Sequence, residues 1–315
     1  MELIRALHNL RPEHRGCVAT IGNFDGVHLG HQTLIRRLRE EAAARELPAC
    51  VISFDPLPHE YFARGQDFQA RLTYFREKYH AIAALGPERF LLLRFDQQLA
   101  SMSPADFIRT ILVEGLGVRH LIVGDDFRFG KKRAGDYATL SDAGEHYGFS
   151  VAPTDTVCVD NIRVSSTRVR EHLHAGDFAG AARLLGRPFA IEGRVIYGKQ
   201  LGRELGYPTA NIQMKRHKTP VHGIFVVEVE TADGQHHYGM ANLGERPSVD
   251  SDGRTLLEVH LFDFRGNLYG QHLKTVFLHK LRGEQAFASL AELKAAIARD
   301  EQNARQWLAA RPASH

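Results

Sequence analysis

The first half of the chain is constrained most strongly by five short, continuously apolar runs that alternate with longer amphipathic stretches. The apolar runs lie at residues 18–21, 51–54, 90–95, 120–124 and 149–152. Short runs without polar alternation are typical of strands buried on both faces of a parallel sheet. The amphipathic stretches at residues 31–46, 76–85, 103–113 and 140–147 predict helices. This alternation predicts an α/β domain with a doubly wound, Rossmann-like sheet that binds a nucleotide.

The second half of the chain has a different pattern. Residues 165–185 carry two helical segments separated by Gly176. Beyond Gly186, partly alternating apolar stretches predict strands at residues 191–197, 224–231, 237–243, 256–262 and 272–279. Turn residues between these strands lie at 223, 233–234, 252–253 and 265–267. These five stretches predict a small β-barrel.

A single helix is predicted to close the chain. Ser289 and Glu292 match the spacing of a capping box, and Leu293, Ile297 and Trp307 recur on one face. The predicted architecture is therefore an α/β half followed by a β-barrel half with a C-terminal helix.

Composition and charge limit the class of the protein and its partners. With 315 residues, 43% hydrophobic and 24% charged, the chain is long enough for two globular domains, which we place at residues 1–186 and 187–315. The 40 Lys and Arg residues against 37 Asp and Glu give a net charge of +3, which does not indicate nucleic acid or an anionic membrane as the main partner. We expect small-molecule substrates, and the sequence leaves the oligomeric state open.

The cysteines and the N-terminal segment bear on location. Cys17, Cys50 and Cys158 are far apart and form no CxxC pair, which indicates neither a disulfide framework nor a cysteine zinc site. The first residues lack the apolar run of a signal peptide, and no stretch has the length of a membrane span. We therefore expect a reducing, cytoplasmic location.

The segment GNFDGVHLGH, residues 22–31, connects the first predicted strand to the first predicted helix. Its glycines let the backbone approach phosphate oxygens, and the helix N-terminus adds N–H donors. His28 and His31 are three residues apart at this junction, so both imidazoles can face one phosphate. The segment is neither the GxGxxG fingerprint nor a Walker P-loop. A zinc pair is the alternative interpretation, although no third ligand accompanies the two histidines.

A second anion-binding pattern is SSTRVR, at residues 165–170. The hydroxyls of Ser166 and Thr167, the N-terminal amides of a helix and the guanidinium of Arg170 one turn later could together hold a phosphate. A capped surface helix without a ligand is the alternative interpretation.

These segments resemble the motifs of a known family. GNFDGVHLGH is similar to the G-x-F-D-G-x-H-x-G-H form of the nucleotidyltransferase H-x-G-H motif in prokaryotic FAD synthetases. VGDDFRFGKKRAGD, residues 123–136, resembles their G-x-D-F-x-F-G segment, and SSTRVR resembles their I-S-S-T-x-x-R motif, with Val164 in place of Ile. The resemblance implies that His28 and His31 are catalytic residues at the ATP phosphates. It implies that the same phosphates are bound by Gly22, Asn23, Asp25, Ser166, Thr167 and Arg170. It also implies a flavin near Phe54, Asp55, Pro56, Asp126 and Phe127.

The segment GRVIYGKQLGRELGYPTANI, residues 193–212, opens the predicted barrel. Its glycines permit a backbone loop against phosphates, and Thr209 and Asn211 offer oxygen ligands suited to Mg²⁺. The segment resembles the G-x-x-x-G-R-x-L-G-[FY]-P-T-A-N motif of riboflavin kinases. That resemblance implies a six-stranded barrel, with ATP binding at Gly198, Gly202, Gly206 and Pro208.

Two further segments resemble riboflavin kinases. ANLGERPSVD, residues 241–250, is similar to their N-[IL]-G-x-R-P-T block, and LLEVHLFDF, residues 256–264, to their E-x-H-[IL]-x-D-F strand. Glu258 lies between Leu257 and Val259, so its side chain is expected on the opposite face of the strand. The resemblance implies that Glu258 is the general base that takes the proton from the ribityl hydroxyl.

Together the resemblances imply a bifunctional enzyme. The second half would phosphorylate riboflavin to FMN with Mg·ATP, and the first half would join FMN to AMP from a second ATP, releasing pyrophosphate and FAD. Another H-x-G-H adenylating enzyme, of the aminoacyl-tRNA synthetase kind, predicts a KMSKS-like loop and a basic RNA-binding face, and the sequence has neither. The other alternative is a flavin-binding regulatory protein with degenerate sites.

Overall fold

The computed structural model describes residues 1–63, 69–124, 126–198, 202, 206–214, 216, 218–244 and 256–311. Backbone packing divides the chain into two compact units. The first comprises Met1–Gln69 and Phe75–Ser166, and the second comprises Ala70–Tyr74 and Thr167–His315. The domain boundary expected after residue 186 stays a prediction.

The first unit is built on a six-stranded sheet in which every neighbouring pair is parallel. Its strands are β1 (Glu2–Arg5), β2 (Cys17–Ile21), β3 (Ala49–Asp55), β4 (Arg89–Arg94), β5 (Val118–Gly124) and β6 (Ser150–Thr154), in the spatial order β1-β4-β3-β2-β5-β6. The helices are α1 (Leu29–Ala44), α2 (Pro58–Ala63), α3 (Phe75–Ala83), α4 (Gln97–Ser101), α5 (Pro104–Phe107) and α6 (Tyr137–Tyr147). A π-helical segment, Ile108–Gly115, continues directly from α5. A short antiparallel hairpin, β7 (Cys158–Val159) and β8 (Ile162–Arg163), follows β6.

Both faces of this sheet are covered, as the continuously apolar runs predict. Every residue of β2 is buried. One face contributes Ala19 to a core that also contains Leu140 of α6, and the other face contributes Val18 to a core that also contains Ile35 of α1. The predicted doubly wound α/β fold is therefore confirmed.

The strand order reverses direction between β2 and β5, because β3 and β4 lie on one side of β2 while β5 and β6 lie on the other. In open α/β sheets, ligands bind in the crevice at the carboxyl ends of the strands where such a reversal occurs. The segment from Gly22 to His28 leaves the carboxyl end of β2, and the segment after Gly124 leaves that of β5. The fold therefore places both predicted motifs at the topological switch point.

The second unit contains a closed barrel with antiparallel pairing throughout. Two helices precede it, α7 (Ser166–Ala175) and α8 (Phe178–Leu185). The strands are β9 (Ala190–Ile196), β10 (Ala210–Gln213), β11 (Gly223–Glu230), β12 (His236–Leu243), β13 (Leu256–Leu261) and β14 (His272–Arg282), in the order β10-β13-β12-β11-β14-β9. The last helix is α9 (Leu290–Ala310). The predicted six-stranded barrel with a C-terminal helix is confirmed, and the turn expected at Asp252 and Gly253 lies outside the described residues.

Two helices pack on the barrel and bury residues on both faces of β11. Val226 and Met240 form a cluster with Phe262 and with Ala304 of α9, so the terminal helix covers one outer face. Phe225, one residue along from Val226, points to the opposite face and contacts Phe178 of α8 at a ring-centroid distance of 5.8 Å. The two helices therefore shield two different surfaces of the barrel.

Candidate active sites

The turn between β2 and α1 has a backbone that ordinary residues adopt rarely. Phe24 and Val27 have positive φ angles of 47° and 43°, and Gly26 has a φ of 85°. The side chains of Phe24 and Val27 are fully buried, with exposures of 0% and 1%. Burial in the core stabilises this left-handed backbone, which costs free energy in residues other than glycine.

Side chains from the sheet and from α3 hold the first part of this turn. The carbonyl oxygen of Asn23 accepts a hydrogen bond from Lys78 Nζ at 2.7 Å and another from Ser53 Oγ at 3.2 Å. Lys78 Nζ also lies 3.4 Å from Ser53 Oγ. Lys78 and Ser53 are both buried, with exposures of 2% and 0%. Neither residue is predicted from the sequence as part of a site.

The backbone carbonyl oxygens of Asp25 and Val27 also accept hydrogen bonds from side chains. Ser166 Oγ donates to the carbonyl of Asp25 at 2.9 Å, and Gln32 Nε2 donates to the carbonyl of Val27 at 2.9 Å. Side-chain donors on alternate carbonyls fix the orientation of the peptide planes between them. Successive N–H groups in turns with left-handed residues can form an anion-binding concavity, and this turn contains such residues.

The two histidines of the turn lie against each other. His28 is the N-cap of α1, and its Nδ1 accepts a hydrogen bond from the backbone N–H of His31 at 3.3 Å. Their rings stack with centroids 3.7 Å apart. Because Nδ1 of His28 is an acceptor, the proton of its neutral ring lies on Nε2. The structure thus brings together the two residues that the spacing predicts to face one phosphate, and their catalytic role stays a prediction.

The SSTRVR segment supplies the start of α7, and the helix begins at Ser166. Arg170 Nε donates to the carbonyl of Ala70 at 2.6 Å, and Thr167 is exposed. Thr167 and Arg170 belong to the second unit, whereas Ser166 belongs to the first. Their predicted contacts with ATP phosphates stay predictions.

Part of the predicted flavin site follows β3, the neighbour of β2 in the sheet. Phe54, Asp55 and Pro56 lie at the carboxyl end of β3, where the peptide bond between Asp55 and Pro56 is cis. Phe54 packs edge-on against Phe95 at 5.8 Å. These residues therefore lie at the carboxyl end of the sheet, next to the point where the segment from Gly22 to His28 leaves β2.

The other part of the predicted flavin site follows β5. Asp126 pairs with Arg163 of the hairpin at 2.7 Å, and Phe127 stacks on Phe129 with centroids 5.6 Å apart. Because β3 and β5 are the neighbours of β2 in a parallel sheet, the two parts of the predicted flavin site and the Gly22–His28 turn all lie at the carboxyl end of the sheet. Flavin binding by these residues stays a prediction.

In the second unit, Gly198 and Gly202 lie close to residues that follow them in the chain. A Cβ atom on Gly198 would collide with the amide of Asn211, and one on Gly202 would collide with the backbone carbonyl oxygen of Tyr207. The amide of Tyr207 donates to the carbonyl of Gly202 at 2.7 Å, and Gly206 has a φ of 89°. Close approach therefore requires glycine at 198 and 202, and the left-handed backbone favours it at 206.

A row of polar residues crosses three adjacent strands of the barrel. Asn211 of β10 is directly opposite Glu258 of β13, and Glu258 is directly opposite Asn242 of β12. Residues paired across a sheet share one face, so the three side chains lie side by side, away from Leu257 and Val259. Asn242 Nδ2 donates to Glu258 Oε2 at 3.4 Å. The predicted orientation of Glu258, on the opposite face of the strand from Leu257 and Val259, is therefore confirmed. Its role as a general base stays a prediction.

His260 connects this row to the Pro-Thr-Ala-Asn segment. It lies two residues beyond Glu258, on the same face of β13, and its Nδ1 is 2.9 Å from the carbonyl oxygen of Pro208. A carbonyl only accepts, so Nδ1 of His260 carries the proton. Tyr207 packs edge-on against the same imidazole at 5.4 Å. Sequence reasoning includes Asn242 and His260 in the resembling segments without giving either one a role.

Two negative findings concern the described part of the chain. Among those residues, no group of three or more His, Cys, Asp and Glu side chains is arranged to hold a metal ion. None of the described helices combines the length and the apolar character needed to cross a membrane.

The parallel sheet with a histidine-bearing turn at its switch point, followed by a closed barrel with a Glu–Asn row, defines a two-unit nucleotide-binding protein. The sequence profile of the FAD synthetase family matches residues 10–168, and that of riboflavin kinase matches residues 185–308. The chain belongs to the family of bifunctional riboflavin kinases/FMN adenylyltransferases.

Curated relatives of that name cover nearly the whole chain. The protein from Pseudomonas fluorescens is 53% identical over 315 residues and covers 100% of both chains. The protein from Escherichia coli K12 is 48% identical over 308 residues, with 98% of each chain covered. A crystal structure described as a macrolide-efflux protein from Streptococcus pneumoniae has a TM-score of 0.77 and 28% identity, covering 98% of this chain and 100% of its own. This structural neighbour supports the two-unit fold.

Proposed function

We propose that the chain makes FAD from riboflavin in two ATP-dependent steps, each carried out in its own unit. Riboflavin is phosphorylated to FMN at the barrel, and FMN is then joined to AMP at the α/β unit, with release of pyrophosphate. The proposal rests on the presence of two candidate sites in one chain, the His28–His31 turn and the Asn211–Glu258–Asn242 row. Each site lies within the residues matched by one of the two family profiles.

At the barrel, Glu258 acts as the general base. Its carboxylate takes the proton from the ribityl hydroxyl while that oxygen attacks the γ-phosphorus of ATP, and ADP leaves. Asn242 Nδ2, 3.4 Å from Glu258 Oε2, orients the carboxylate by donating to one of its oxygens.

Magnesium enters as part of the Mg·ATP substrate. The hydroxyl of Thr209 and the amide oxygen of Asn211 are hard, neutral ligands, and such a set suits an ion that keeps several waters and the phosphate oxygens. The Asn211 amide occupies the space that a side chain at position 198 would need, so glycine at 198 leaves room for this ligand. When bound, the ion would neutralise negative charge on the phosphate oxygens.

At the α/β unit, the FMN phosphate attacks the α-phosphorus of a second ATP in line, and no covalent enzyme intermediate is needed. The imidazoles of His28 and His31 donate hydrogen bonds to the phosphate oxygens, where negative charge builds up in the transition state. Ser166, whose hydroxyl holds the Asp25 carbonyl, supports the turn on which both histidines depend. Thr167 and Arg170 complete the predicted set of phosphate ligands.

Small molecules are the partners in this proposal, and the cytoplasm is the proposed location. Cys17 and Cys50 are free and buried, and Cys158 is free and exposed, as suits a reducing compartment.

The direct experiment is incubation with riboflavin, ATP and Mg²⁺, followed by chromatographic separation of the flavins. Both FMN and FAD should form. Glu258→Gln should abolish formation of FMN from riboflavin and leave conversion of added FMN to FAD unchanged, since the base is lost in one unit only. Glu230→Gln is the matched control, because Glu230 lies in the same barrel and pairs with Lys274 at 2.9 Å.

Absence of both products from the wild-type reaction would contradict the enzyme proposal and favour a flavin-binding regulatory protein. If Glu258→Gln remained folded and lost both conversions, the proposal that the two sites work independently would be wrong. FMN formation at the wild-type rate in Glu258→Gln would exclude this residue as the base.

A further inference from the structure

The C-terminal helix α9 packs on the same outer face of the barrel that carries the polar row. Asn242 of β12 and Glu258 of β13 lie on this face, because they are paired across the two strands. Met240 and His260, which are paired with each other two residues away, lie on it as well. Met240 also packs in the cluster that contains Ala304 of α9. The helix therefore covers the part of the face next to the polar row, although the reaction proposed for the barrel uses none of its residues.

Arg305 of α9 holds the chain where it leaves β13. Its Nη1 donates to Oδ2 of Asp263 at 2.9 Å and its Nη2 to Oδ1 at 3.0 Å, while its Nε donates to Glu301 of the same helix at 2.9 Å. The hydrogen bonds from Arg305 hold the pKa of Asp263 below its ordinary value of 3.8, so this carboxylate is charged at neutral pH. Two parallel hydrogen bonds fix the orientation of a carboxylate as well as its position.

The backbone of Asp263 is one that benefits from such support. Its φ angle is 57°, a left-handed conformation that costs free energy in residues other than glycine. An exposed ion pair adds little stability by itself, and the side chains of Arg305 and Asp263 are 43% and 79% exposed. The geometry that the pair imposes on the turn at Phe262 and Asp263 therefore explains it better than the stability that it adds.

A series of ring contacts leads from this turn to the Pro-Thr-Ala-Asn segment. The Arg305 guanidinium lies over the Phe262 ring, 4.5 Å from its centroid, and the Phe262 ring meets the His260 imidazole edge-on with centroids 6.0 Å apart. His260 Nδ1 donates in turn to the carbonyl oxygen of Pro208 at 2.9 Å. Because edge-on ring contacts depend on geometry, the orientation of the His260 ring depends on where Phe262 is held.

We propose that Arg305 is a positioning residue of the kinase step, which fixes the turn at Phe262 and Asp263 and thereby directs the His260 donor to the Pro208 carbonyl of the ATP-binding segment. The inference rests on the proposed function of the barrel. Because Arg305 acts through His260, its effect falls on the binding of ATP and not on the proton transfer to Glu258.

The test compares the ATP dependence of riboflavin phosphorylation between variants of α9. Arg305→Met removes the guanidinium and keeps an unbranched chain that can cover Phe262. Arg305→Lys keeps the charge but loses the fork that pairs with both carboxylate oxygens. Arg299→Met is the matched control, because Arg299 is an exposed arginine of the same helix. Arg305→Met is also combined with His260→Phe, so that the dependence of one residue on the other can be measured.

We expect Arg305→Met to raise the KM for ATP about threefold and to change kcat by less than about 1.5-fold, because it weakens one hydrogen bond indirectly and leaves the base in place. Arg305→Lys should raise the KM by about twofold, and it provides the test if Arg305→Met fails to fold. Once His260 is Phe, Arg305→Met should add less than about 1.5-fold, since the contact through which it acts is already lost. Arg299→Met should leave both parameters at wild-type values, and all variants should convert FMN to FAD normally.

A wild-type KM for ATP in Arg305→Met, or in Arg305→Lys if only that variant folds, would overturn the inference. An equal rise in Arg299→Met would do so too, because it indicates a general effect of α9. The same holds for a full additional rise in the His260→Phe background, which indicates an effect that bypasses His260. A lower kcat at constant KM would also overturn the inference, since a smaller folded fraction gives that result. A wild-type protein that forms no FMN would overturn the proposed function together with the inference, whereas FMN formation that is insensitive to Arg305→Met would overturn the inference alone.

Discussion

The imidazole rings of His28 and His31 stack with centroids 3.7 Å apart and planes inclined by 12°. The stack is held from one side by the N-cap hydrogen bond, in which His28 Nδ1 accepts the His31 amide proton. Phe24 supports it from another side, with its ring 5.1 Å from that of His31. Because Nδ1 of His28 is committed to the cap, any donation from this ring to a phosphate comes from Nε2.

A substitution of His28 can separate its role as the N-cap of α1 from its proposed role as a hydrogen-bond donor to a phosphate. Asn is a good N-cap residue, so His28→Asn keeps an acceptor for the start of α1 and removes the Nε2 donor. We expect kcat/KM for FAD formation to fall by roughly 100-fold, the usual loss when one transition-state donor is removed. The thermal midpoint should shift by only a few degrees, about 1 kcal/mol or less in stability. Steady-state assays of both conversions and a melting curve check this.

Riboflavin phosphorylation provides the internal control for His28→Asn, because His28 belongs to the other unit. FAD formation within about threefold of the wild type would contradict a role for the Nε2 donor, since loss of such a donor lowers the rate far more.

His260 should act on the kinase step through the Pro208 carbonyl. His260→Phe keeps an aromatic ring against Tyr207 but removes the Nδ1–H donor. One net hydrogen bond corresponds to about 1 kcal/mol, so we expect the KM for ATP in riboflavin phosphorylation to rise roughly fivefold, with a smaller change in kcat. FAD formation from FMN should be unaffected. Initial-rate kinetics with varied ATP distinguish the two parameters.

His236→Phe is the matched control for His260→Phe. His236 also lies on a barrel strand and pairs with Glu228 at 2.7 Å, far along β12 from the polar row. A similar rise in KM in both variants would point to a general effect on the barrel and would contradict the positioning role of His260.

Much of the fold could be predicted from the sequence because its strands are continuously apolar. The apolar runs are continuous enough in β2 to β6 for these strands to be located. β1 is not predicted, because its four residues combine one buried position with exposed and half-buried ones. The helix predicted from His31 begins two residues earlier, at Leu29, because a histidine rather than Ser, Thr, Asp or Asn provides the cap. β10 was missed as a separate strand because it is only four residues long and continues directly from the Pro-Thr-Ala-Asn segment.

The residues of the candidate sites could likewise be predicted only in part. Residues within contiguous motifs, such as His28 and His31, could be predicted because helix geometry alone brings them together. The opposition of Asn211 and Glu258 depends on strand register, which separate segments of sequence do not reveal. Lys78 gave no signal, because a lysine in an amphipathic helix is usually solvent-exposed and only tertiary packing buries it.

Asp177 couples the stability of the second unit to pH. It is the N-cap of α8, where its carboxylate accepts from the amide of Gly180 at 2.8 Å and contacts His172 Nδ1 at 2.8 Å. The backbone hydrogen bond from Gly180, followed by that from His172, holds the pKa of Asp177 below its ordinary value of 3.8. A lowered folded-state pKa means that the unfolded chain takes up the proton first as the pH falls. The stabilising contribution is therefore complete well above pH 3.8 and is lost as the pH falls through the folded-state pKa.

Asp177→Ala should accordingly destabilise the second unit by about 1 kcal/mol at pH 7, the usual cost of losing an N-cap. The difference from the wild type should shrink as the pH is lowered from about 5 to about 3. Urea unfolding at several pH values, followed by the fluorescence of Trp307, the single tryptophan of the chain, measures this. Asp177→Asn is the control, because it keeps the cap without an ionisable group and should unfold close to the wild type at neutral pH. A difference between Asp177→Ala and the wild type that is constant or grows on acidification would show that the ionised carboxylate is not what stabilises α8.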